Sequence, residues 1–347
     1  MVHGTGLSGG APPAGAGLGQ TLNSSALPTV GFGTADLQVT RLCQGTAFRT
    51  LSRDAADQQA EAVLGHCLDA GVRFFDSSNA YGWGGSERLL GQALKGRRDE
   101  VVICTKVSPT DPPPVDGSVA RGQPFTEAYL TKQLDGSRQR LDTDMIDLYL
   151  LHAPDGVTPM EQLCERMQKL IDGGGVSHWG VSNHSAAQMT KLLAAAKNAG
   201  TSPPVGAEDY YTIAGAALTA GGQSRTRQLE RELFPVLHPA DLGLLAFSPM
   251  DGGDLAKLNA PAVDSPLAEL LQVVDRVAAE LSTSRGAICV AWVLAQKPVT
   301  AVLGGAESTA HVDEMVEGLQ LTVPASLLAQ LNTASYAYSQ ALEAPRK

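Results

Sequence analysis

MIDLYLLHAPDGVTPMEQLCERMQKLIDGGGVSHWGVSN, residues 145–183, decides the fold. Residues 145–152 form a short apolar run that stops on His152, and residues 176–182 form a second that stops on Ser182 and Asn183. Near-continuous apolar runs of this length suit strands covered on both faces, the condition of a parallel sheet. Between them, residues 159–171 read as a helix. Strand, helix, strand is the unit that joins two parallel neighbours.

The same alternation continues outward from that unit. Upstream, strands are expected at residues 41–46, 72–76 and 100–106, with helices at 55–70, 86–94 and 126–141. Downstream, a helix at 186–198 leads to a strand at 204–208, a helix at 226–237 and a strand at 242–247. A helical pair over 267–296, a strand at 299–303 and a helix at 310–319 complete eight strand–helix units. Strict alternation suits a closed barrel or an open doubly wound sheet. The count of eight favours the barrel, as does the lack of a GxGxxG after the first strand. The expected fold is therefore α/β, a (β/α)8 TIM barrel, forming one domain over residues 29–347. Such a barrel takes ~250 residues before insertions, so the 347 residues leave room for extensions. Residues 30–40 read as a hairpin capping the barrel. Residues 1–28, rich in Gly, Ala, Ser and Pro, read as a flexible tail.

Composition narrows the function. With 43% hydrophobic and 18% charged residues, the chain can bury a sizeable core and is not a disordered segment. A formal net charge of -10 disfavours nucleic acid as a partner, because phosphates are repelled. Cys43, Cys67, Cys104, Cys164 and Cys289 form no CxxC pair and no metal pattern, so they read as buried thiols in a reducing compartment. No HxH or HxxxH pair stands at a strand end, and no metal site is expected. No apolar run reaches the ~18 residues of a membrane helix. The N-terminus lacks the basic-then-apolar order of a secretory signal. A cytoplasmic protein with a small-molecule partner is expected, with organelle import through the tail and the oligomeric state left open.

Barrel enzymes carry their reacting groups at the C-terminal ends of the strands. Here those ends read Asp76, with Tyr81 five residues on, then Lys106, His152, and Ser182 with Asn183. Singly, each has a bland reading as a turn cap, a solvated strand end or a hydrogen-bonded rim residue. Four consecutive strand ends with titratable or amide groups point to a site.

The surrounding segments carry a resemblance. FFDSSNAYGWGGSERLLGQAL (74–94), VVICTKV (101–107), RLDTDMIDLYLLHAP (140–154), GGGVSHWGVSNHS (173–185) and LLAFSPMDGGDL (244–255) resemble, in order and spacing, the signature segments of the aldo-keto reductase family. The likeness runs over about residues 30–335. It implies hydride transfer between a nicotinamide cofactor and an aldehyde or ketone, reversibly. Negative charge builds on the carbonyl oxygen during such a transfer and needs a proton donor beside it. Tyr81 is the expected general acid, with Lys106 lowering its pKa, Asp76 holding Lys106 charged, and His152 bonding the oxygen.

For the cofactor, the resemblance implies a site that includes Gly45, Thr46, Asp76 and Phe247, with Ser182 and Asn183 on the nicotinamide carboxamide and Tyr211 stacked on its ring. Ser248, Met250, Gly252 and Leu255 fall in the pyrophosphate loop, and Gly304, Gly305, Glu307, His311, Glu314 and Met315 at the adenosine end. Glu208 stands where the family usually has a Gln. Glu307 and Ser308 stand near its usual cations, and Met315 replaces an Asn. Family habit places NADP(H) ahead of NAD(H), although Glu307 would repel a 2′-phosphate and suit a free ribose. Arg285 or another cation would then supply the missing charge. Phe48, Trp83 and Tyr210 are expected to line the substrate pocket, and residues 108–124 and 214–224 to cover it. Two competing readings are a nicotinamide-binding sensor or regulatory subunit with little turnover, and a lyase using Lys106 as a Schiff-base nucleophile.

Overall fold

The two-residue period of a strand sorts this sequence into an inside and an outside. In the computed structural model, which describes residues 27–50, 57–110, 122–215, 224–258 and 265–343, β1 (Thr29–Gly31) and β2 (Gln38–Thr40) form the expected hairpin. Eight parallel strands then follow: β3 (Leu42–Gly45), β4 (Phe74–Asp76), β5 (Val102–Val107), β6 (Ile146–Leu151), β7 (Val176–Ser182), β8 (Gly206–Tyr210), β9 (Gly243–Phe247) and β10 (Val299–Gly304). They close in sequence order, with β10 pairing β3. The fold is the (β/α)8 barrel.

Cys43, Phe74, Cys104, Leu148 and Leu245 pack together inside the barrel, while Leu42, Phe75, Ile103, Tyr149 and Leu244 pack outward among the helices. Two residues further along, the inward positions turn polar: Asp76 after Phe74, Lys106 after Cys104, His152 after Leu150. The interior is therefore apolar below and ionic above. The lower end is closed by the hairpin. Phe32 is fully buried there, edge-on to Phe74 with centroids 6.2 Å apart. Glycines make room for its ring: a Cβ would lie 2.7 Å from Phe32 Cε1 at Gly206 and 2.9 Å at Gly243.

The helices begin where the sequence supplies caps. Asp57 accepts from Gln59 N and Ala60 N at 3.0 Å each and starts Gln58–Asp69. Ser185 and Gln188 form a reciprocal capping box before Ala186–Ala199. The helix expected at 226–237 is instead Arg225–Gln228, a π turn at Leu229–Leu233, and Phe234–Leu237. Pro235 has no N–H to continue the regular ladder, and the wider turn precedes it. The expected pair resolves into Pro266–Glu280 and Arg285–Leu294, and a further helix at Ala325–Glu343, absent from the sequence reading, packs against the first of them. Of the tail expected at 1–28, only Leu27, which is buried, and Pro28 are described. The covering loops expected at 108–124 and 214–224 lie largely outside the described residues, at 111–121 and 216–223. Among the described residues no single helix is long and apolar enough to cross a membrane.

Candidate active site

A cavity of about 320 Å³ opens at the C-terminal end of the strands. Its floor is ionic. Lys106 is fully buried, and its ammonium bonds both carboxylate oxygens of Asp76 and the carbonyl of Ser77 at 3.1 Å. Glu208 Oε2 stands 3.1 Å from the same nitrogen. Burial alone would discharge Lys106, but the two carboxylates outweigh it and hold the ammonium well above its ordinary range. Burial also raises Asp76, against the pull of Lys106. Glu208 is pushed up to about 8, by burial first and then by the charge on Asp76. Among the described residues, Asp76, Cys104 and Glu208 offer ligand-type atoms within 4.8 Å of one another. The cation of that group is the lysine.

Tyr81 stands above this floor, with the ammonium 5.3 Å from its ring centroid. It begins a short turn whose Gly82 and Trp83 have φ of 54° and 51°. Burial raises the Tyr81 hydroxyl, and Lys106 lowers it by less. The expected net lowering is thus reversed: the lysine acts in the expected direction but desolvation is larger. His152 meets Tyr81 edge-on, centroids 5.5 Å apart. Burial, and then the positive charge on Lys106, push its imidazole down to about 3, so the ring is neutral. Its Nδ1 faces Ser78 Oγ at 3.0 Å, and Ser78 Oγ accepts from Ala80 N at 3.2 Å. Asn183, with φ of 56°, donates from Nδ2 to His152 O and to Ser182 Oγ, both at 3.0 Å. Arg225 donates to its Oδ1 at 3.2 Å.

The cavity brings together most of the residues singled out in the sequence. Gly45, Asp76, Tyr81, His152, Ser182, Asn183, Glu208, Phe247, Ser248, Met250, Gly252, Gly304, Gly305, Glu307, His311 and Glu314 line it, and Lys106 lies directly below. Others do not reach it. Tyr211 is buried outside the barrel, stacked on Trp292 at 5.5 Å and bonded to Glu230 at 2.6 Å. One step from Tyr210 along the chain, it falls on the helix side, and Phe247 lines the cavity where Tyr211 does not. Met315 is buried behind β10, where a Cβ on Gly304 would lie 2.0 Å from its Sδ. Leu255 is fully buried in the outer core. Thr46 turns away and bonds the Asp76 carbonyl through N at 2.9 Å and Oγ1 at 2.8 Å, so it fixes the strand end instead. Phe48 packs in the outer core and Trp83 is not on the cavity wall. Tyr210 supports the wall, edge-on to Phe247 at 5.8 Å and bonded to Asp251 at 2.7 Å. Arg285 is engaged elsewhere, with Asp275 at 2.6 and 2.9 Å and the carbonyls of Leu255 and Leu258 at 2.8 and 2.6 Å.

The cations at the cavity are Arg49 and Lys257, which the sequence reading missed. Arg49 reaches from the loop after β3 to Gly252 O at 2.6 Å, and its Nε stands 3.4 Å from Glu307 Oε1. It therefore ties the loops after β3, β9 and β10 together. No local pattern marks Arg49. Lys257 stands two residues beyond Leu255, next to the glycine loop already noticed.

Eight parallel strands closed into a barrel, with an ionic cluster, a tyrosine and a histidine at their C-terminal mouth, define a (β/α)8 protein whose site lies where such barrels carry their chemistry. The Aldo/keto reductase family model matches residues 41–335, and the chain belongs to that family. It is similar to a probable voltage-gated potassium channel subunit beta of Oryza sativa subsp. japonica, 29% identical over 84% of this chain and 90% of the relative. Methylglyoxal reductase YeaE of Escherichia coli is 27% identical over 87% of this chain and 93% of its own. Aldo-keto reductase yakc [NADP(+)] of Schizosaccharomyces pombe is 23% identical over 90% of each.

Proposed function

We propose that this protein is a NAD(P)H-dependent oxidoreductase that reduces aldehydes or ketones to alcohols, reversibly, with Tyr81 as the general acid. The observation that carries the reading is the stack of Tyr81 on a buried ammonium and against a neutral His152 at the floor of a cavity. The donor set along that cavity suits a dinucleotide. Ser182, Asn183 and Oε2 of Glu208, which forms no well-directed hydrogen bond, offer amide-binding groups at the deep end. Gly252, Gly253, Gly304 and Gly305 bring bare backbone to the middle, with Arg49 and Lys257 for phosphates. When bound, the nicotinamide supplies the hydride.

The side chains divide the remaining work. The Tyr81 hydroxyl donates its proton to the carbonyl oxygen as charge builds there. Ser78 Oγ accepts from Ala80 N and has two acceptors within reach of its own hydrogen, His152 Nδ1 at 3.0 Å and the Lys106 carbonyl at 3.4 Å; donation to the nearer one leaves the imidazole proton on Nε2 to bond the substrate oxygen. Lys106 stabilises the phenolate formed, and Asp76 fixes Lys106 in place. A Schiff-base role needs a neutral amine, and the carboxylates beside Lys106 oppose one. Arg49 and Lys257 favour NADP(H), since Arg49 already offsets Glu307. Phe247 takes the stacking role expected of Tyr211. Five buried free thiols support a reducing, cytoplasmic setting. The name of the rice relative supports a second reading, a cofactor-binding regulatory subunit.

The test mixes purified protein with NADPH or NADH and 4-nitrobenzaldehyde and follows reduced-nicotinamide absorbance. Oxidation that is lost in Tyr81→Phe is expected. Cofactor binding without oxidation across a panel of carbonyls would favour the regulatory reading.

A further inference from the structure

We propose that Glu208 carries a proton at neutral pH while Asp76 stays ionised, and that this proton, passed through Lys106, restores Tyr81 after it has protonated the product. The role in turnover rests on the reductase reading; the location of the proton does not.

The balance of charge in a closed space decides where the proton sits. Lys106, Asp76 and Glu208 are 0%, 1% and 3% exposed. One ammonium faces two carboxylates there. A single cation neutralises one of them, and a second buried anion takes up a proton rather than remain unpaired. The hydrogen bonds say which. Asp76 has both oxygens on the ammonium, whereas Glu208 reaches it through Oε2 alone, and that oxygen forms no well-directed hydrogen bond. The other ionisable groups around Glu208 do not compete for this proton. Cys43 on β3 and Cys104 on β5 are buried thiols raised well above their usual range. Tyr81 is raised and His152 is neutral. The adjacent strands pair Glu208 with Ser182 and Leu245, neither of which titrates. His178 on β7 pairs lower down, with Leu148.

The step balances without an outside reagent. When Tyr81 has given its proton to the product oxygen, Lys106 Nζ, which also hydrogen-bonds the Tyr81 hydroxyl, gives one of its hydrogens to the phenolate oxygen. The Glu208 hydroxyl passes its proton to Nζ. The net change is tyrosinate plus carboxylic acid to tyrosine plus carboxylate, with no electrons transferred. The floor keeps one negative charge throughout, moved from Tyr81 to Glu208. Water in the cavity that Glu208 lines returns the proton after turnover.

The experiment reads the proton in the protein alone, by infrared titration without cofactor or substrate. A carboxylic-acid C=O band is expected at neutral pH. It should shift on carbon-13 labelling of glutamate but not of aspartate, and vanish in Glu208→Gln. It should titrate away near pH 8, the value to which Glu208 is pushed up. Asp76→Asn should move that midpoint down, since it removes the neighbouring charge. Turnover in the reducing direction should fall across the same pH range in the wild type and stay level in Glu208→Gln. No glutamic-acid band at neutral pH would overturn the proposal, whatever the activity. The band present with a turnover profile unchanged by Glu208→Gln would overturn the reserve role. The band present in a protein that turns over no carbonyl would refute the reductase reading and leave the proton on Glu208. If Glu208→Gln does not fold, the labelling and the Asp76→Asn shift still decide the matter.

Discussion

Replacing Tyr81 with Phe removes one oxygen from the centre of the proposed chemistry and little else. The phenyl ring keeps its edge contact with His152 and its place over Lys106. Stability should therefore change by no more than about 1 kcal/mol. Turnover should change far more. A positioned general acid contributes roughly 10²–10⁴-fold, which is about 2.7–5.4 kcal/mol of barrier. The surroundings argue for the upper half of that range, because neither His152 nor Lys106, the two groups against the Tyr81 ring, stands ready as a second acid. His152 is neutral, its ring pushed down to about 3. Lys106 is held well above its ordinary value and lies below the ring. The assay is single-turnover oxidation of bound NADPH by 4-nitrobenzaldehyde, with cofactor affinity measured separately by fluorescence. A fall of about 10³-fold or more with affinity unchanged is expected. Turnover within about three-fold of the wild type, with the cofactor bound, would refute Tyr81 as the acid. A loss confined to cofactor affinity would assign the hydroxyl to the binding site instead.

Lys106→Met leaves Asp76 and Glu208 facing each other without a cation and should cost about 3–5 kcal/mol in urea unfolding. Both carboxyls would then have folded-state pKa values above their unfolded ones, so the variant should gain stability as pH falls from 8 to 5; a loss over that range would contradict the charge count. Phe32→Ala empties the plug at the far end of the barrel and should cost about 3–5 kcal/mol while leaving KM for the aldehyde unchanged, so a KM shift would show that the plug reaches the site. Arg49→Ala should weaken NADPH about 10–100-fold, the worth of a charged hydrogen bond, and NADH much less; equal losses in titration calorimetry would remove Arg49 from 2′-phosphate recognition.

Much of the barrel was legible because its strands are short apolar runs that end on polar residues, and both signals are local. His152 and Ser182 announce themselves by where an apolar stretch stops. Parity along the same strands would have gone further: Phe74 with Asp76, and Cys104 with Lys106, alternate inward, and counting on in twos from Gly206 reaches Glu208. The same count separates Tyr210 from Tyr211, which lies on the helix side and packs on Trp292. Other parts were not written locally. Arg49 lies beside Gly252 and Glu307, hundreds of residues away in the chain, and only closure of the barrel makes them neighbours. The net direction of the Tyr81 shift was beyond the sequence for a related reason. A neighbouring cation can be inferred from a motif, but the desolvation that outweighs it depends on how completely the floor is sealed. Glu208 combines both difficulties. As a residue type it reads as an ordinary carboxylate, ionised at neutral pH. It becomes a proton carrier only because the fold sets it against a lysine that Asp76 has already neutralised, and that balance belongs to three strands and to none of them alone.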